Sequence, residues 1–493
     1  LRGVGIEVRG AKWDTMLLHY LLDPESRHNM DFLAERYLRY SPIRIETLIG
    51  KGTRQLTMDQ VNVEAVKEYA AEDADITLQL KHKLWPLICE QGMVELYEKI
   101  EEPMIQVLAD MELAGVKVDC DYLATYGVEL NSLLTQLEND IRREADEPML
   151  NINSPRQLGE VLFAKMQITD KPKMTKTRQF CTDEEYLLSF AGKHRIVDLI
   201  LKYRGVKKLL STYVEALPLL VNGRTGHIHT SYNQAVTATG RLSSANPNLQ
   251  NIPIKTSLGE EIRKCFIAPL GHTLISVDYS QIQLRLLADI ADVHAFKETF
   301  NQNADIHAQT ARRIFNIPDD TPVPANLRRA AKTVNFSIIY GISSFGLAAQ
   351  LGVSRNDAQN IINSYMAGLP EINEYIERTK QFALDNGYVL TPLGRRIELP
   401  GVKNPRLRQY ALRAAINAPI QGFEADLMRR AVIEINENIV RPNSDTIRMI
   451  MQVHDEIVFE CDASHADEMA RAIKSTMENI TTLSIPLVAE YNI

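Results

Sequence analysis

Two carboxylates stand at positions that suit chemistry. Asp278 closes the apolar run Leu274-Ile-Ser-Val-Asp278, and a helical pattern starts soon after it. Asp455 lies in Ile447-Arg-Met-Ile-Met-Gln-Val-His454-Asp455-Glu-Ile-Val-Phe-Glu, where two short apolar runs flank a polar pair. Such runs read as buried strands, the second pair as a hairpin whose turn lacks the usual glycine or Asn-Gly. A carboxylate at the end of a buried strand is partly desolvated and costly unless it is paired or metal-bound. Two of them, far apart in sequence, are what a two-metal phosphoryl-transfer site requires, with ions about 3.5–4 Å apart. Alone, each has a plainer account: Asp278 as a cap for the next helix, His454-Asp455 as a polar turn.

Three further segments supply groups that such a site needs. Arg328, Lys332, Phe336 and Tyr340 recur every four residues, so they lie within about 120° of one helix face. The cations suit a triphosphate and the aromatics a base and sugar. A solvated basic turn followed by core aromatics would give the same pattern. Thr237-Ala-Thr-Gly-Arg241-Leu-Ser-Ser-Ala-Asn-Pro-Asn-Leu-Gln-Asn-Ile-Pro253 is rich in turn and hydrogen-bonding residues, and reads as irregular structure or a plain loop. Arg413, Asn417 and Gln421 again step by four. Their donors match minor-groove acceptors common to all base pairs, although simple helix-surface polarity would also fit.

The elements that must position these groups are helical segments around a small sheet, with strand-like stretches at His227–Tyr232, Thr273–Val277, Ile447–Val453 and Ile457–Glu460. The fold class predicted is α+β. Ala65–Leu80 has helical period, and residues 95–150 read as long amphipathic helices. Ser154 and Pro155 mark a helix start. Helical patterning dominates 290–440. A polar stretch holding Lys165, Lys171, Lys173, Lys176 and Arg178 reads as an exposed basic loop. A second basic patch, Lys202-Tyr-Arg-Gly-Val-Lys207-Lys208, reads as the end of one helix and the start of another.

Composition sets the outer bounds. The 493 residues carry 55 Lys and Arg against 63 Asp and Glu, a net charge of −8, with 45% hydrophobic residues. That is globular composition, and the length suggests roughly two to four domains. The mild acidity argues weakly against nucleic acid, but binding depends on local patches. The five cysteines are far apart and odd in number, which fits reduced thiols in a cytosolic compartment better than a disulfide or zinc framework. No run of about 18 apolar residues suggests a membrane span, and Leu1–Lys12 does not resemble a signal peptide.

Over nearly its whole length the chain resembles the bacterial family A DNA polymerases. Asp278-Tyr-Ser-Gln-Ile is similar to the family's motif A, Arg328–Gly341 to motif B, and Val453-His-Asp-Glu to motif C. Thr239-Gly-Arg-Leu-Ser-Ser and Asn417-Ala-Pro-Ile-Gln-Gly resemble further signatures. The resemblance implies a right-hand polymerase preceded by the C-terminal part of a ribonuclease H-like 3′–5′ exonuclease domain. That gives a partial exonuclease-like domain at 1–100, a thumb at 101–215, palm at 216–290 and 423–493, and fingers at 291–422. It implies template-directed addition of dNTPs to a primer 3′ hydroxyl in DNA repair and replication. Two Mg²⁺ ions, with Mn²⁺ as a substitute, would be held by Asp278, Asp455 and the Tyr279 backbone carbonyl. Arg328, Lys332, Phe336, Tyr340, Gln281, Gln283 and His454 would bind the dNTP. Arg241, Arg413, Asn417, Gln421, Lys171, Lys173, Lys207 and Lys208 would bind primer–template DNA. A monomer in the bacterial cytoplasm, associated with the nucleoid and not with a membrane, is implied as well.

Departures from the family pattern sharpen these expectations. Gln283 stands where the family has Glu, at the steric gate beside the incoming sugar, and predicts weakened nucleotide binding or altered ribose discrimination. Ser337 stands where Gly is usual and is expected to crowd the nucleotide. Phe336, in place of Tyr, implies discrimination against dideoxynucleotides. Tyr69 and Asp73 match the last exonuclease motif, while the earlier carboxylate motifs are expected before Leu1, which would leave proofreading absent and both chain ends cropped. A nuclease centred on Tyr69 and Asp73, or a catalytically impaired DNA-binding relic, are the competing readings.

Overall fold

A computed structural model describes residues 5–6, 8, 10, 12–253 and 256–493; part of Leu1–Lys12 therefore lies outside the described residues. The chain divides into two compact units. One comprises residues 1–114, 231–245 and 271–493, the other 115–230 and 246–270.

The first unit is built on a four-stranded antiparallel sheet. Its strands are β3 (His272–Tyr279), β6 (Ile447–Val453), β7 (Glu456–Asp462) and β8 (Ala489–Asn492), in the order β6-β7-β3-β8. Two short hairpins accompany it, β1 (Ser231–Asn233) with β2 (Ser243–Ala245), and β4 (Tyr388–Leu390) with β5 (Arg396–Glu398). Strand alternation in β3 sends Ile275, Val277 and Tyr279 into the core and leaves Ser276 and Asp278 on the half-exposed face. Helices Glu102–Ala114 and Ala466–Glu478 pack on the sheet. Among the described residues of 12–114 there is no strand; helix Val63–Glu90 buries Ile76, Leu80, Leu84 and Ile88, one residue per turn, against Thr15–Leu22.

Residues 290–440 are mainly helical, as expected. Helix Ala325–Ile339 packs on Ile306–Phe315, and the 28-residue helix Arg408–Ile435 runs back toward the sheet with its middle buried on all sides. The β4–β5 hairpin inside this region is not anticipated by helical periodicity. Gly387 at φ 84° ends the preceding helix, and Gly394, also at φ 84°, shapes the turn.

The long helix meets this hairpin at Gly422. A Cβ there would lie 2.6 Å from Thr391 Cγ2 and 2.9 Å from Ile397 Cδ1. Thr391 cannot easily rotate away: its hydroxyl donates to Asp426 (3.3 Å) and accepts from the Arg395 backbone N–H (3.1 Å). Overpacking costs about 1–3 kcal/mol and outweighs the gain of about 1 kcal/mol from replacing a helical glycine. Gly422→Ala is therefore expected to lower the urea midpoint; an unchanged or higher midpoint would show that the hairpin yields.

The second unit is a helical assembly in which Cys120–Glu144 packs along Arg195–Leu209. Asp119 caps the first by accepting from Tyr122 N–H, and Ser154 caps Pro155–Gly159, with Pro155 at the first position as predicted. Lys171, Lys173, Lys176 and Arg178 are exposed in a segment whose only regular feature is the bridge Met174↔Phe180. Lys202–Lys208 does not divide two helices. Arg195–Leu209 runs through Gly205 without a break, because Tyr203, Val206 and Leu209 hold its buried face, and Lys202, Lys207 and Lys208 remain exposed. The expected His227–Tyr232 strand is reduced to the bridge Val116↔Ile228 and the short β1.

Candidate active site

Asp278 is the penultimate residue of β3, and Asp455 is the second residue of a two-residue turn closed by the pair Val453↔Glu456. The turn forms without glycine because His454 takes φ 55°. The Tyr279 backbone N–H donates to the Asp455 carbonyl (3.2 Å), which fixes the turn against the end of β3. The side chain of Tyr279 is buried, with its hydroxyl on the Met477 carbonyl (2.9 Å). Asp278 does not cap the following helix; Gln281, at φ 55°, holds that position.

Both carboxyls are pushed above their ordinary range. For Asp278 the largest cause is burial, followed by Asp455 and by Glu490, its direct neighbour on β8. For Asp455 it is burial, then Glu424, only partly offset by His454 and Arg241. Among the described residues no lysine or arginine forms an ion pair with either one, nor do three or more His, Cys, Asp or Glu side chains form a cage. Two carboxylates destabilised by burial and by acidic neighbours fit a hard divalent cation that keeps water and substrate oxygens in its shell.

This fit carries a stability prediction. A carboxyl with a raised folded-state pKa stabilises the fold while protonated, and that contribution is lost as pH rises through the folded pKa. Above that window Mg²⁺ is expected to raise the melting temperature in proportion to mass action. The gain should shrink as pH falls into that window, where protons compete for the same oxygens, and vanish in Asp278→Ala/Asp455→Ala. An equal gain in that double variant would sink the assignment.

Beside Asp455 lies a pocket of about 460 Å³ lined by Arg241, Gln281, Gln283, His307, Arg328, Lys332, Phe336, Tyr340, Glu424 and His454, among others. Helix Ala325–Ile339 brings Arg328, Lys332 and Phe336 to it, with Tyr340 at its end, as the four-residue spacing predicts. Arg328 is held by Asp305 (2.5 Å), the residue that also caps Ile306–Phe315 by accepting from His307 and Ala308 N–H. Burial works to raise the Asp305 pKa, yet hydrogen bonds from Arg328 and these amides bring it below the usual range. His307 is lowered to about 4, first by burial and then by Lys332 and Arg328, against the opposing pull of Asp305. It is neutral at physiological pH, with Asn335 Nδ2 3.1 Å from its Nδ1.

Ser337 is not part of this pocket. Its hydroxyl donates to Gln350 Oε1 (2.8 Å), so its extra atoms join two helices, and it lines an adjacent cavity with Phe336 and Tyr340. Arg241 donates to both oxygens of Glu424 (3.0 and 2.8 Å) and lines the pocket. Arg413, Asn417 and Gln421 share one face of Arg408–Ile435 and line a neighbouring cavity of about 650 Å³ with Thr239 and Tyr340. Asn417 Oδ1 is buried there without a partner. Lys171, Lys173, Lys207 and Lys208 belong to the other unit.

Glu424, His307, Asp305 and Glu490 were not picked out from the sequence. Glu424 lies in a helix whose buried residues mask any period, and Glu490 gains meaning only through its register with Asp278. Away from this site, Tyr69 lies beside Asp73 one turn along Val63–Glu90. Asp73 is raised by burial, and by Glu72 and Asp31 against the opposing pull of Tyr69, and its Oδ1 has no partner.

Comparison with known proteins adds an independent line. Residues 120–493 match the model for DNA polymerase family A, and residues 1–88 match a 3′–5′ exonuclease model. The chain is 45% identical over 490 residues to DNA polymerase I of Rhizobium leguminosarum, covering 98% of this chain and 47% of that protein. It is 43% identical to DNA polymerase I of Pseudomonas aeruginosa, covering 98% and 53%. The chain thus spans about half the length of these curated relatives. A solved structure of the POL domain of Pol1 from M. smegmatis, in complex with DNA primer-template and dNTP, aligns with a TM-score of 0.88 at 33% identity, over 100% of this chain and 82% of that one. The α+β fold expected for a right-hand polymerase with exonuclease-like residues before it is thereby shown.

Proposed function

The chain belongs to DNA polymerase family A, and on that premise we propose that it is a template-directed DNA polymerase, transferring a nucleotidyl group from a dNTP to a primer 3′ hydroxyl. The observation that carries this reading is the convergence of Asp455, Arg328, Lys332 and Phe336 on one pocket, with Asp278 at the adjoining strand end. Polymerases of this family depend on divalent metal. Here Asp278, Asp455 and the Tyr279 carbonyl would hold two Mg²⁺ ions, for which Mn²⁺ could substitute. When bound, such ions supply Lewis-acid stabilisation of the charge that develops in phosphoryl transfer. The chain's own groups do the rest. Lys332 and Arg328 grip the triphosphate, with His454 and neutral His307 alongside. Phe336 packs on the sugar and base, Tyr340 guards the templating side, and Gln281 and Gln283 border the sugar. Arg413, Asn417 and Gln421 offer donors to minor-groove acceptors common to every base pair.

In the same reading, residues 1–100 are exonuclease-like and 101–215 are the thumb. The palm is formed by 216–290 and 423–493, and the fingers by 291–422. Lys171, Lys173, Lys207 and Lys208 touch the phosphates of primer–template DNA. The protein acts as a monomer in the bacterial cytoplasm at the nucleoid, in repair and replication. No described helix is long and apolar enough to cross a membrane.

Primer extension on a primed template tests the proposal. Extension is expected only with template, dNTPs and Mg²⁺ together. Binding of DNA without extension would favour a binding relic, and primer shortening without dNTPs would favour a nuclease at Tyr69 and Asp73.

A further inference from the structure

We infer that Glu424 is a specificity-determining positioning residue, a buried carboxylate that sets the hydrogen-bond polarity of the wall against which the incoming sugar packs. The inference rests on the proposed polymerase reading and deepens it.

The chain of contacts is directional. Glu424 is 4% exposed at its side chain and accepts from Gln283 Nε2 (2.8 Å) and from Arg241. An ionised carboxylate can only accept, so the Gln283 amide must turn its NH₂ toward Glu424. Its carbonyl is then left facing Tyr340, whose hydroxyl donates to Gln283 Oε1 (3.2 Å). Glu424 thus dictates which way the amide points, and the amide dictates where the Tyr340 hydroxyl rests. Gln283 by itself could present either end. With the carboxylate behind it, the amide stands as an acceptor toward Tyr340 and holds that ring at the edge of the pocket. The negative charge that position 283 lacks is supplied one hydrogen bond further back, from helix Arg408–Ile435. Arg241 neutralises it in part and is the cation that pairs with Glu424 among the described residues, so a second carboxylate at position 283 would repel Glu424.

The opposite effects of exchanging the two charges make the test. Single-nucleotide incorporation of dNTP and rNTP would be measured for the parent, Glu424→Gln, Gln283→Glu, and the double variant Gln283→Glu/Glu424→Gln. A lost hydrogen bond to a charged group corresponds to about tenfold. Glu424→Gln is expected to raise KM for dNTP about tenfold, with kcat within about twofold, and to lower deoxy-over-ribo discrimination by a similar factor. Gln283→Glu alone is expected to do the same through repulsion. The double variant, with one carboxylate in total, should return KM to within about threefold of the parent, a rescue that a merely structural role would not give. A Glu424→Gln chain with parental KM and discrimination would overturn the inference, as would a double variant no better than either single one. Should Glu424→Gln fail to fold, Gln283→Glu decides: unchanged KM overturns it. A parent that incorporates no nucleotide at all would instead refute the polymerase reading on which the inference stands.

Discussion

Asp455→Asn is expected to cut nucleotide incorporation by roughly 10³-fold or more, since several kcal/mol of transition-state charge stabilisation at about 1.4 kcal/mol per decade are at stake. The same variant should be as stable as its parent in metal-free buffer, or more stable. The two signs come from one cause. Asp455 is buried beside Glu424, and both circumstances disfavour its charge. At neutral pH the folded chain carries a carboxylate that would be easier to ionise in the unfolded state, so an isosteric amide removes a penalty. Asp278→Asn should behave in the same way, because burial, Asp455 and Glu490 all disfavour its charge. Single-turnover incorporation and urea midpoints in chelator check both signs. Activity within tenfold of the parent would remove Asp455 from the reaction, and a large loss of stability would make it a structural residue.

The second large effect concerns Arg395. Its guanidinium is fully buried between Asp426 (Nε to Oδ1, 2.8 Å) and Glu101 (2.6 Å), and Glu101 is also paired with Arg429. Arg429 donates to the Gln234 carbonyl (3.1 Å), and Gln234 Nε2 donates to the Glu101 carbonyl (3.1 Å). Two acids and two bases thus balance in the interior. Arg395→Met would leave two buried carboxylates facing one cation, which costs about 3–5 kcal/mol. Pairing it with Asp426→Leu restores the balance, and most of the stability should return. Urea denaturation of the single and double variants is the check. A loss below about 1 kcal/mol in Arg395→Met would mean that water reaches the network. The consequence extends to the pocket: a Cβ on Gly240, at φ 87°, would lie 2.9 Å from Arg395 Nε, so the loop that carries Arg241 is moulded directly onto this buried charge.

What could be read in advance, and what could not, follows the range of the interactions involved. Asp278 and Asp455 were legible because a strand needs only its own alternation to place an end residue. Arg328, Lys332 and Phe336 were legible because helical period is a local property. The His454 turn was legible despite its missing glycine, since flanking apolar runs outweighed turn chemistry. The β4–β5 hairpin was missed although Gly387 and Gly394 mark it, because its three-residue strands are too short to show a period against long helices on both sides. The continuity of Arg195–Leu209 was misjudged because Gly205 carries a weak propensity penalty that tertiary burial overrides. The pairing of Arg241 with Glu424 spans 183 residues. No local rule reaches that far.

Asp305 has a role beyond capping its helix. By closing on Arg328 it turns one of the pocket's two helix-borne cations into half of a dipole, whose field decays faster with distance than that of a lone charge. In the proposed reading, anions diffusing in from solvent would be drawn mainly by Lys332, with Arg328 withheld until a ligand is close enough to displace a carboxylate. Because an exposed pair of this kind is worth only about 0–1 kcal/mol, the exchange costs little affinity. It would separate long-range capture, governed by one lysine and screened by salt, from the final grip, in which the arginine trades one anion for another.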